Sequence, residues 1–222
     1  MRGRIVLFVG LAIGLAAGWV AFDPPAPKGA GAMSYQPPAE RTGAPGELLC
    51  TQCHAIPGSG DGSVSVDVPT EYEPSTTYTI TVTLQDPGQQ RWGFEAIAYR
   101  IDEQSLTLKM AGTFTNLSPL TTIQELGDGR QYISHTSNAG DPGPEPDGTF
   151  AGTPDGPTTW SFGWTAPPTG SGIVTWYVAG NAANGDGTNS GDYIYTAGNV
   201  STEKPTTAVA KTTWGKIKTK YR

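Results

Sequence analysis

From Ser63 onward, apolar residues return at every second position in one short run after another. Ser63-Val64-Ser65-Val66-Asp67-Val68 puts its valines on one face. Thr77 to Leu84 does the same with Tyr78, Ile80, Val82 and Leu84, while threonines take the other face. A period of two is that of a strand with one face buried. Arg91 to Ile101 is less clean. Trp92, Phe94, Ala96, Ala98 and Arg100 share one side, and Gly93, Glu95, Ile97, Tyr99 and Ile101 the other. That pattern predicts a strand buried on both faces or bulged at Gly93. Leu106–Met110 reads as a shorter strand. Ile123–Leu126 and Arg130–His135 read as a hairpin across Gly127-Asp128-Gly129. Residues 138–157 form a long turn-rich loop. Thr158–Trp164 places three aromatics on one face, and Gly172–Ala179 and Asp192–Ala197 close the series.

Strands at short intervals, parted by Gly and Pro turns and without helical periodicity, predict an all-β sandwich. Composition agrees: 30 Gly, 19 Pro and only 15% charged residues do not suit a helical bundle. The net charge of −6 argues against nucleic acid as a partner. The aromatic strand positions are explained by core packing and need no function.

The chain has two cysteines and two histidines, and three of these four residues lie in Cys50-Thr51-Gln52-Cys53-His54. Cys-x-x-Cys-His is the attachment pattern of a c-type haem. Two thiols at this spacing reach the two vinyl groups on one edge of a porphyrin and become thioethers. The histidine beside them supplies an axial imidazole to the iron. Two other readings stay open. An exported Cys-x-x-Cys also forms a small Cys50–Cys53 disulfide. With His54 it also offers three zinc ligands, although a structural zinc site needs four. A thioredoxin-like motif would require a βαβ context that this chain lacks.

Haem attachment of this type belongs outside the cytoplasm, and the N-terminus suits export. Arg2 and Arg4 precede an uncharged run from Ile5 to Phe22, ended by Asp23-Pro24-Pro25. Residues 1–22 read as a cleaved signal peptide, with a retained membrane anchor as the alternative. The expected localisation is periplasm, cell surface or extracellular space, with membrane contact only through residues 1–22 if they are retained. Residues 23–41, rich in Pro, Ala and Gly, read as a flexible linker. Residues 42–62 are the haem-attachment segment, an irregular or briefly helical stretch ahead of the 63–199 sandwich domain. Residues 200–222 are a Thr-rich basic tail. Lys211, Lys216, Lys218, Lys220 and Arg222 put five of the fourteen basic residues in its last twelve positions. This tail suits an acidic partner, anionic lipid or a sorting role, or else a solvated end.

Three further stretches carry a family resemblance. They are Thr42-Gly43-Ala44-Pro45-Gly46-Glu47 before the cysteines, Trp164-Thr165-Ala166-Pro167 followed by Gly172 to Tyr177, and Asn181 to Gly187 before Gly191-Asp192. With them the chain, over about residues 42–197, resembles the bacterial Reeler-like exported proteins called choice-of-anchor V domain proteins. The resemblance implies an immunoglobulin-like sandwich with varied anchoring ends and little about activity. Animal Reeler domains lack the Cys-x-x-Cys-His motif, so no binding role is carried over from them.

A haem iron with one histidine leaves a sixth position. His135, the other histidine, is the candidate distal ligand ahead of Met110. Asp186, Asn189 and Asp192 in an oxygen-rich loop are candidate calcium ligands. A polar strand connection is the stronger reading there, because the EF-hand pattern is absent. No catalytic constellation is visible. The expected function is an exported monohaem c-type cytochrome that carries electrons rather than catalysing a reaction. Its partners would be a redox protein or neighbouring haem subunits, with self-assembly into an oligomer or filament as a further expectation. The alternative is a cofactor-free surface binding or adhesion module with a Cys50–Cys53 disulfide; a third is a haem peroxidase or gas sensor.

Overall fold

The computed structural model describes residues 35–54, 56–57, 60–102, 105–137 and 147–205. These residues are almost entirely strand and turn, in two facing sheets. The larger sheet is ordered β1 (Ile56–Pro57), β12 (Tyr193–Glu203), β11 (Ile173–Ala183), β5 (Arg91–Asp102), β9 (Gln131–His135) and β8 (Thr121–Glu125). Two short strands, β3 (Glu71–Tyr72) and β6 (Thr107–Met110), join it on β12 and β5. The smaller sheet is ordered β2 (Ser63–Asp67), β4 (Thr77–Gln85), β10 (Thr158–Thr165) and β7 (Thr113–Asn116). The all-β sandwich is therefore what the alternating runs predict.

The core lies where the inward positions of both sheets meet. Trp92, Phe94, Ala96 and Ala98 of β5 and Val174, Trp176 and Val178 of β11 face Ile80, Val82 and Leu84 of β4 and Trp160, Phe162 and Trp164 of β10. Ring centroids are 4.7 Å apart for Phe94–Trp160 and 5.0 Å for Trp164–Trp176. Each of these four buried indoles finds an acceptor for its N–H. Trp92 donates to the Thr153 carbonyl, Trp160 to that of Gly148, Trp164 to that of Ala111 and Trp176 to the Ser201 hydroxyl. A buried indole left unpaired would lose much of what its burial contributes, so these bonds help fix which tryptophan sits where.

β5 resolves the less regular pattern read in its sequence. Its register with β11 runs unbroken from Arg91 to Arg100, so Gly93 is not a bulge. Its second face is buried because the segment before the cysteines lies across it. Ala39 and Ala44 pack on Ile97, Tyr99 and Tyr132. The segment ahead of the cysteines is thus a third layer of the domain, not an excursion ahead of it, and the packed chain begins before residue 42.

Other boundaries differ from the sequence reading. β11 and β12 extend to Ala183 and Glu203, so the first residues assigned to the basic tail complete a strand. β3 and β7 were not expected; at two and four residues they carry too few alternations to show. Ile56–Pro57, read as loop, pairs in parallel with Tyr193–Ile194. The signal or anchor at 1–22, the linker up to residue 34, loop residues 138–146 and the tail from 206 lie outside the described residues.

Candidate functional site

The Thr42-Gly43-Ala44-Pro45-Gly46-Glu47 stretch forms a tight reversal that delivers the cysteines to the sheet. Gly43 and Gly46 have φ of +74° and +85°, a region a Cβ disfavours. Thr42 and Leu49 bridge across the reversal. Glu47 is its anchor. One carboxylate oxygen accepts hydrogen bonds from the hydroxyls of Tyr99 and Tyr132, both at 2.6 Å, and the other accepts from Thr42 at 2.5 Å. Arg130 closes the cluster by donating to Glu40 and to the Tyr132 hydroxyl. Burial and the Glu47 carboxylate hold the Tyr132 hydroxyl well above its ordinary pKa, so it stays a donor.

Cys50–Gln52 then form one 3-10 turn. The N–H groups of both Cys53 and His54 donate to the Cys50 carbonyl. This turn brings both thiols and the imidazole onto one side of the chain. Cys50 and Cys53 are both free thiols in this structure. Desolvation, with the Glu95 carboxylate adding to it, pushes the Cys50 thiol up to about 12.

The parallel pairing of β1 with β12 sets His54 beside Asp192. Nδ1 of His54 lies 2.6 Å from Asp192 Oδ2. The Asn181 amide nitrogen is 3.3 Å from both ring nitrogens, astride the imidazole rather than on one lone pair. One residue earlier, Asn189 donates through Nδ2 to the Cys53 carbonyl at 2.5 Å.

His135 is buried at the end of β9. Its Nδ1 lies 3.0 Å from the Phe94 N–H and 3.2 Å from the Phe94 carbonyl oxygen. The ring stands where a partner strand would pair with Phe94, which ends the β5–β9 ladder at Glu95–Ser134. The Phe94 N–H donates to Nδ1 when the ring proton sits on Nε2; ligation of a metal through Nε2 would require the other tautomer, with Nδ1–H turned to the Phe94 carbonyl.

These residues meet in one open cleft at the Arg91–Gly93 and Asn181–Ala183 end of the larger sheet. Cys50, Cys53, His54 and His135 all line it, with Arg41 and Arg91 at hand as cations. The sequence separates His54 from His135 by most of the sandwich; the fold puts both in one cleft. Glu95, two residues from Gly93, is 1% exposed. Burial first, with Glu47 adding, pushes its carboxyl up to about 8 against the Arg41 N–H bond that lowers it.

The cleft fits the cofactor the motif implies. Two thiols and an imidazole stand together, and a second imidazole shares the cavity. Asn181 Oδ1 and Arg41 Nε, on residues lining the cleft, are buried without a protein partner. Cys50 and Cys53 would hold a porphyrin covalently, and His54 and His135 would ligate its iron. Bound there, it would supply one-electron redox chemistry.

Met110 is elsewhere: it packs at the edge of the core, and its sulfur accepts from the Gln131 N–H at 3.0 Å. The three calcium candidates do not converge either. Asp186 caps Thr188, Asn189 holds Cys53 and Asp192 faces His54. Among the described residues no group of three or more His, Cys, Asp or Glu is placed to hold a bare metal ion. Sequence reasoning missed the roles of Gly93, Asn181 and Asn189. A glycine inside a bulky strand and a polar Asn181-Ala182-Ala183-Asn184 strand end were the signals available.

No family model and no curated protein sequence matches the chain. Among solved structures it is similar to the human F-spondin reeler domain, at 22% identity over 67% of this chain and 94% of that one, with a TM-score of 0.39. Another structure, of the Reelin-N domain of F-spondin, is 21% identical over 68% and 94%, with a TM-score of 0.38. A cohesin module from Clostridium perfringens is 12% identical over 66% and 100%, again at 0.38. No function is carried over from any of them.

Proposed function

We propose that this chain is an exported monohaem c-type cytochrome that transfers electrons at the cell envelope or outside the cell. Cys50 and Cys53 hold the haem, His54 is the proximal ligand and His135 the distal one. The observation that supports this reading most is the convergence of both cysteines and both histidines of the chain on one cleft. The surrounding sandwich restricts solvent on one side of the cofactor, a lever by which a protein sets its potential. A single haem needs a second redox centre within reach, so a redox partner or a neighbouring copy is part of the reading.

The test is a pyridine haemochrome spectrum of protein made in a host with cytochrome c maturation machinery, after acid–acetone extraction. A c-type band that stays with the protein supports the reading. Colourless protein from a competent host ends it and turns attention to the sandwich as a binding module. Carbon monoxide binding by the ferrous form would instead point to an open sixth position, as in a peroxidase or gas sensor.

A further inference from the structure

We infer that Asp192 is the positioning residue of the proximal His54 imidazole, and that the 184–192 loop exists to hold the attachment motif; this rests on the cytochrome reading above. The loop's oxygen atoms, which look like calcium ligands in the sequence, are spent on two other tasks.

The first task is bracing the loop itself. Asn184 donates through Nδ2 to the Ser190 carbonyl at 3.0 Å, and its Oδ1 accepts from the Asp186 N–H at 3.0 Å. Asp186 in turn accepts from the Thr188 N–H at 2.7 Å. The second task is gripping residues 53 and 54. Asn189 fixes the Cys53 carbonyl, and Asp192 meets the His54 ring. The motif is therefore held at its backbone and at its imidazole from one loop.

Asp192 has no exposure to solvent. Its Oδ1 accepts from the Asn184 N–H at 3.3 Å and its Oδ2 faces His54 Nδ1 at 2.6 Å. An ionised carboxylate only accepts, so the proton of this bond sits on Nδ1. The lone pair of a neutral imidazole is then left on Nε2, the atom an axial ligand needs. At 2.6 Å the contact is at the short limit of N–H···O bonds to ionised acceptors. A carboxylate on the far nitrogen strengthens electron donation by the near one, as it does for metal-bound histidines generally. Stronger donation favours the ferric over the ferrous state, so Asp192 lowers the midpoint potential.

Two measurements test this. In the full chain made without haem and labelled with ¹⁵N at histidine, long-range ¹H–¹⁵N spectra at pH 8 report which ring nitrogen of His54 carries the proton; a His135→Ala spectrum assigns the two rings. The expected result is a proton on Nδ1 that moves to Nε2 in Asp192→Ala. A wild-type His54 protonated on Nε2 alone, or a tautomer unchanged by Asp192→Ala, overturns the proposal. In haem-loaded protein, Asp192→Asn, which keeps the volume should the alanine variant not fold, is expected to raise the midpoint potential by about 59 mV or more, a tenfold change for one electron. An unchanged potential overturns it. If the wild type takes up no covalent haem, the cytochrome reading falls, while the tautomer spectra still decide the role of Asp192.

Discussion

The imidazole of His135 rests on the backbone of Gly93. A Cβ at residue 93 would lie 2.7 Å from His135 Cε1 and 3.0 Å from its Nδ1. The ring cannot easily retreat, because Nδ1 is held at the Phe94 backbone. The glycine is what lets a second imidazole enter the cleft from the β9 end.

Gly93→Ala is therefore expected to lower stability by about 1–3 kcal/mol, the usual range for overpacking a filled site. Thermal melts check the cost. In haem-loaded protein the same variant should lose part of its low-spin spectrum, because the ring is displaced from its place. A variant as stable and as low-spin as the wild type would separate Gly93 from His135.

His135→Ala leaves the proximal side untouched. The expected outcome is retained covalent haem with a shift from low-spin to high-spin absorption and new carbon monoxide binding. A low-spin spectrum that survives unchanged removes His135 from the iron.

Glu47→Ala strips three hydroxyls of their shared acceptor and leaves Tyr99 and Tyr132 facing each other at 3.0 Å without the carboxylate. Hydrogen bonds to a charged group are worth about 1.5–3 kcal/mol each, and their losses overlap here. A destabilisation on the order of 3 kcal/mol is expected, with faster proteolysis of the chain ahead of Cys50. Urea titration and limited digestion measure the two effects separately.

Glu95 makes stability depend on pH with an unusual sign for a carboxylate. Its folded value of about 8 lies above its ordinary 4.5, so between these values the native state holds a proton that the unfolded chain has lost. The stability it contributes is full below about pH 4.5, falls as pH rises through that window and levels off above about 8. The slope is at most about 1.4 kcal/mol per pH unit. Urea midpoints at pH 5 and pH 8 should differ more for the wild type than for Glu95→Gln. Equal differences would place the Glu95 carboxyl in the ordinary range.

The sandwich was legible because period-two alternation is a local signal. Ser63–Asp67, Thr77–Gln85 and Thr158–Thr165 each carry enough repeats to show which face is buried. β5 was ambiguous because its second face is covered by residues 39–44, and nothing within β5 announces a third layer. The thiols and His54 were legible because their spacing is itself the chemistry. The surroundings of His54 were not. Asn181 and Asp192 stand 127 and 138 residues away, and the pairing of Ile56–Pro57 with Tyr193–Ile194 helps bring them alongside. In the sequence, Asp192 is one more oxygen in a polar loop.

The same separation gives the site an order in time. Chains are made from the N-terminus, so residues 50–54 exist well before Asn189, which lies 136 residues after Cys53 in the chain and holds its carbonyl. For that interval no residue of the 184–192 loop exists to cover the cysteines. The last strands to be synthesised bring Asn181, Asn189 and Asp192, and with them the wall. The motif is thus among the first parts of the cleft to be made, and the loop that grips it among the last.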